Sequence, residues 1–97
     1  MSTMVGGVGQ ARPVDDELRS VVSQVRGDIE AKAGKQFETF EPVSYATQVV
    51  AGTHFFIKVN VGDSHLHAKV FRSLPPVSFE VKEVQLGKTA EDPVNSF

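Results

Sequence analysis

"TQVVAGTHFFIKVNV", residues 47–61, decides the fold. Its β-branched and aromatic residues are the types enriched in strands. Drawn out as one strand, these 15 residues would run about 50 Å at ~3.3 Å per residue. A compact chain of this size has a radius of gyration near ~13 Å, so the run must fold back on itself. Ala51-Gly52 is its one break. Turns usually carry Asn, Asp, Ser or Pro, whereas this break is apolar. Val49, Val50 and Ala51 therefore stand at a hairpin tip.

Strand patterns flank the hairpin on both sides. "TFEPVSYATQVV" (39–50) leads into it. "THFFIKVNV" (53–61) places Phe55, Ile57, Val59 and Val61 on one face and His54, Phe56, Lys58 and Asn60 on the other. Gly62-Asp63 is a turn signal. "HLHAKVFRSL" (65–74) alternates again, with Leu66, Ala68, Val70 and Arg72 on one side. Leu74-Pro75-Pro76 ends it, because two prolines do not both fit a central strand. "SFEVKEVQL" (78–86) then offers Phe79, Val81 and either Val84 or Leu86 to the core.

One helix precedes the strands. Leu18, Val21, Val22, Val25 and Ile29 form a single apolar stripe at helical spacing. Asp15 or Asp16 can cap its start, Glu17 suits the positive end of its dipole, and Gly34 is the natural stop. The pattern predicts an α+β fold: one long N-terminal helix and an antiparallel sheet of four to five strands wrapped around it. The stripe packs on one sheet face, and charged residues take the other. Residues 1–97 form a single domain with a flexible or extended N-terminal arm, 1–12.

The bulk composition excludes several functions. Net charge is −2 with mixed signs, and no basic face appears for nucleic acid. No apolar run approaches the roughly 18 residues of a membrane span. "MSTMVGGVGQ" lacks a charged n-region and a long apolar stretch, so it does not read as a secretory signal. Cysteine is absent, which removes disulfides, thiol catalysis and cysteine metal sites. Together these predict a cytoplasmic protein. Gly7 and Gly9 begin a GxGxxG spacing that Arg12 breaks, with no strand before it.

Counting antiparallel strands puts the loops at 48–52 and 73–76 at the same end of the sheet. Two apolar loops on one rim mark a partner surface. Val, Ala, Gly, Leu and Pro supply no acid, base or nucleophile. The rim reads as a wedge for another protein's groove.

Gln48-Val49-Val50-Ala51-Gly52 resembles the signature first hairpin loop of the cystatin superfamily. Gly6-Gly7, Thr53, "FIKV" (56–59), Gly62-Asp63, "KVF" (69–71), "SLP" (73–75), the helix "QVR" (24–26) and the terminal Phe97 resemble the stefins, its cysteine-free branch. The similarity covers essentially the whole chain. It implies the cystatin-like fold and no catalytic activity. It also implies reversible, tight, competitive inhibition of papain-like cysteine proteases, cathepsins included. The implied protease contacts are Met4, Val5, Gly6 and Gly7 of the arm, in the non-primed subsites. Gln48, Val49, Val50, Ala51 and Gly52 sit above the catalytic cysteine. Ser73, Leu74, Pro75 and Pro76 lie on the primed side. No cofactor is implied, and the protein is expected as a monomer.

The chain also departs from the stefin pattern. His54 stands where Asn is common, and Pro76 where Gly or His is common. "GDSHLHAKVF" is one residue short, and "DPVNSF" replaces the more usual ending. Each departure bears on which protease is preferred.

Other readings of the same residues are weaker. His65 and His67 share a strand face, but two ligands without Cys or a matched carboxylate make a poor metal site. Alternation turns both outward to solvent, with Leu66 inward. Glu80, Glu83, Glu91 and Asp92 read as an acidic surface. The alternative function is a self-associating, domain-swapped binding module, exchanging strands through the 48–52 loop. A ligand carrier would need polar inward positions, and these are mostly Leu, Val, Ile, Phe and Ala.

Overall fold

In a computed structural model that describes residues 9–94, the helix stripe becomes one side of the core. Helix α1 spans Asp16–Ala33. Of the two candidate caps, Asp15 takes the role: its backbone is extended and its Oδ1 accepts the Leu18 N–H at 2.9 Å. Gly34 ends the helix in the left-handed region at φ 81°, and its N–H donates to the Glu30 carbonyl at 2.9 Å. Leu18, Val21, Val22, Val25 and Ile29 are all buried.

The "QVR" of the helix has a structural use. Arg26 donates to the Phe37 carbonyl at 2.6 Å and bonds Glu30, whose carboxylate accepts the Phe37 N–H at 3.0 Å. This pair fastens the loop after the helix and aims the chain into the sheet.

The sheet has five antiparallel strands in sequence order. They are β1 (Arg12–Pro13), β2 (Glu41–Val50), β3 (Gly52–Asn60), β4 (His65–Arg72) and β5 (Phe79–Lys88). The fold-back at 51–52 is tighter than a loop: Val50 pairs with Gly52, so Ala51 alone lies between β2 and β3. The end of the arm runs extended, with Arg12 opposite Tyr45 and the Gly9 N–H donating to the Thr47 carbonyl at 2.9 Å. The radius of gyration is 12.9 Å, the dimension that forced the hairpin.

Tyr45, Phe55, Ile57, Val59, Leu66, Ala68, Val70 and Val81 meet the helix. Arg72 joins this face, with its guanidinium 5.1 Å from the Phe55 ring centre and 3.1 Å from Glu17. Two register shifts resolve the choice between Val84 and Leu86. Val70 pairs with Val81 and Lys69 with Glu83, so Lys82 is an extra residue and the alternation shifts by one. Val84 then packs on the core. A second shift follows, because His67 pairs with Gln85 but His65 with Lys88, and there Leu86 is left 49% exposed.

The outer face corrects two expectations. It is not simply a charged, solvated surface, and His67 does not face solvent: it is only 1% exposed. The segment after β5 folds back over this face. Val94 packs with Ala46 and Phe56 in a second small core, and buried Lys58 donates to the Ala90 carbonyl. Strand alternation decides which face a side chain takes, but only tertiary packing decides whether that face is wet.

Candidate functional site

Two loops end the sheet on the same side. The first is the β2–β3 tip, Gln48–Gly52. The second joins β4 to β5 through Ser73–Ser78. Thr53 pairs with Arg72, so each loop begins within one residue of that pair. Their contact is close: a Cβ on Gly52 would lie 2.5 Å from the Arg72 carbonyl oxygen and 2.8 Å from the Phe71 ring. Gly52 also has φ 113°, which side-chain-bearing residues rarely adopt. Glycine is thus required twice over at the base of the first loop.

The rim is apolar and uncovered. Val49 is 70% exposed, Val50 44%, Leu74 60% and Val77 57%. Ala51, Pro75 and Pro76 are also exposed, while Gln48 and Ser73 are half-buried and Gly52 is buried. Leaving several aliphatic side chains in water at one end of a small domain is unfavourable unless a partner covers them. Val77 was missed by the sequence reading, which ended the loop at Pro76. The signal lay in the serines at 73 and 78 that bracket the whole excursion.

The second loop is tied at its base. The Ser73 N–H donates to the Ser78 carbonyl at 3.0 Å, and the Ser73 hydroxyl donates to the Pro76 carbonyl at 3.0 Å. The same hydroxyl accepts the Ser78 N–H at 2.9 Å. At the other side of the first loop, Gly9 sits beside Thr47, at the rim end of β2. The expected contacts Met4, Val5, Gly6 and Gly7 lie outside the described residues.

Behind the first loop is His54, opposite Gln48 on β2 and Phe71 on β4. Its ring centre is 5.0 Å from that of Phe71 and 6.3 Å from that of Phe56. Burial against these rings holds the imidazole below its ordinary value, helped by Lys69 and Lys82. It stands behind the first loop as a neutral aromatic rather than as a charge.

No rim side chain is an acid, base or thiol. Among the described residues, no group of three or more His, Asp or Glu could hold a metal ion. Asp92 accepts the Thr89 N–H at 2.8 Å and so closes a turn in the returning segment. The arrangement can insert and exclude water.

Residues 6–93 match the family described as "Cystatin domain". This chain belongs to the cystatin family. It is 41% identical to Cystatin-A1 of Sus scrofa over 97 residues, covering 97% of this chain and 94% of the relative. Cystatin-B of Oplegnathus fasciatus is 36% identical with 100% of both chains covered. Leukocyte cysteine proteinase inhibitor 1 of Sus scrofa is 37% identical, covering 97% of this cystatin and 94% of the relative. The cystatin match runs through the helix, both rim loops and most of the returning segment, so it bears on the whole domain.

Proposed function

We propose that this protein is not an enzyme but a reversible, competitive inhibitor of papain-like cysteine proteases of the cathepsin type. It blocks the active-site cleft with the N-terminal arm, the Gln48–Gly52 tip and the Ser73–Pro76 loop. The observation that carries this reading is the exposed apolar rim without reactive groups. A relative 37% identical to it is itself named a cysteine proteinase inhibitor, which supports the same class of partner.

Energetics assign the arm a share. Covering Val49, Val50, Leu74 and Val77 stabilises a complex by about 1–2 kcal/mol each, or about 4–8 kcal/mol together. Rigid-body association costs about 4–15 kcal/mol. The loops alone therefore bind weakly, and tight inhibition needs the arm as well. Gly6 and Gly7 precede Gly9 by three and two residues, and Gly9 itself bonds the rim end of β2. Glycine there lets backbone approach a cleft wall closely.

The test is titration of papain and of a cathepsin with the monomeric protein, following hydrolysis of a peptide substrate. The expected result is competitive, reversible inhibition. No inhibition at micromolar concentrations would overturn the reading.

A further inference from the structure

We propose that Ser73 is a positioning residue: its hydroxyl locks the 73–78 loop and so presents Leu74, without itself meeting the protease. This rests on the inhibitor reading above and changes the role that the family resemblance implied for Ser73. A serine hydroxyl has one hydrogen to donate and two lone pairs to accept with. All three are used inside the loop. The hydrogen goes to the Pro76 carbonyl at 3.0 Å. One lone pair takes the Ser78 N–H at 2.9 Å, and the other takes the Ser78 hydroxyl at 3.2 Å. Nothing is left to offer a partner.

The loop needs such a lock. Between Ser73 and Ser78 run Leu74, Pro75, Pro76 and Val77, all exposed. The two prolines bring no N–H, so the backbone has few bonds of its own to hold a shape. A free apolar loop folds down onto nearby surface, and ordering it on binding costs affinity. With the Ser73 N–H also bonded to the Ser78 carbonyl, the serine pair closes the base from backbone and side chain together. Leu74 is then held 60% exposed before any partner arrives.

The test compares the full chain with Ser73→Ala, Ser73→Thr and Ser78→Ala. Papain association and dissociation are measured by stopped flow, and amide exchange at Ser78 is followed by NMR. Ser73→Ala should speed dissociation about tenfold while association changes less than about threefold. Ser73→Thr should stay near the parent because the hydroxyl remains. Ser78→Ala keeps the N–H bond and should fall between them. In a Leu74→Ala background, Ser73→Ala should add less than about twofold, since the lock acts through Leu74. A full additional effect in that background would mean direct contact and overturn the proposal, as would unchanged dissociation in the Ser73→Ala variant alone. The exchange readout stands apart from inhibition. Ser78 should be protected in the parent and released in Ser73→Ala even if papain were not inhibited. An unprotected Ser78 amide in the parent would also overturn the lock.

Discussion

The Tyr45 hydroxyl donates to Asp15 Oδ2 at 2.8 Å while Asp15 Oδ1 takes the Leu18 N–H at 2.9 Å. One carboxylate thus starts the helix and pins it to β2, 30 residues further along the chain. The Leu18 N–H and then the Tyr45 hydroxyl hold this carboxyl below the ordinary 3.8. A folded-state value below the unfolded one contributes stability above 3.8 that is lost as pH falls through the lower value. Asp15→Ala should therefore lower the urea midpoint at neutral pH, with the gap closing in strong acid. Tyr45→Phe should cost about 1 kcal/mol, or ~4–8 °C in melting temperature. An unchanged gap across the acid range would refute the carboxylate's dual role.

His67 should make the protein sensitive to mild acid. Burial, then Lys58 and Lys88, push its value from 6.5 down to about 4, with Asp92 opposing and His65 adding slightly. Between those values the unfolded chain binds more protons than the folded one, so stability falls as pH drops from 6.5 to about 4. The loss should be on the order of 2 kcal/mol for this residue. His67→Gln, unfolded in urea at pH 7, 5 and 4, should show a shallower decline than the parent. Parallel declines would show that His67 is not the source.

Gly52→Ala should be severe. Its Cβ would meet the Arg72 carbonyl and the Phe71 ring at a φ of 113°, so backbone must shift. The expected cost is about 2–4 kcal/mol, read as melting temperature, together with weakened papain binding as both loops move. A variant with parental stability would mean that β4 yields easily there.

Deleting residues 1–6, or replacing Gly6 with Trp, should weaken papain binding chiefly through dissociation, by about tenfold or more. Melting temperature should barely change, because the Gly9–Thr47 bond and the β1–β2 pairing lie beyond the cut. Inhibition that equals the parent would remove the arm from the interface.

Binding should also vary little between 0.05 and 0.5 M salt, conditions that screen exposed charges strongly. The exposed rim is Val, Ala, Leu and Pro, so there is little to screen. A steep salt slope would mean that charged neighbours carry the affinity.

Local periodicity determined much of this protein without any tertiary information. The helix stripe from Leu18 to Ile29, a cap at Asp15 or Asp16 and the stop at Gly34 follow from residues within a few positions of one another, and the fold-back at Ala51-Gly52 follows from the length of its run against the size of the chain. Strand counting, which needs only the turns, put the Gln48–Gly52 and Leu74–Pro76 loops on one rim. Tertiary structure decided what depends on distant partners. The Lys82 bulge brought Val84 onto the core face, and a second shift between Gln85 and Lys88 left Leu86 exposed. The segment that carries Ala90 and Val94 turned His67 and Lys58 from outward positions into buried ones. Gly52 is indispensable because Phe71 and the Arg72 carbonyl close over it from another strand. A side chain's face is set by its own strand's pleat, but its burial is set by whatever the rest of the chain lays across that face.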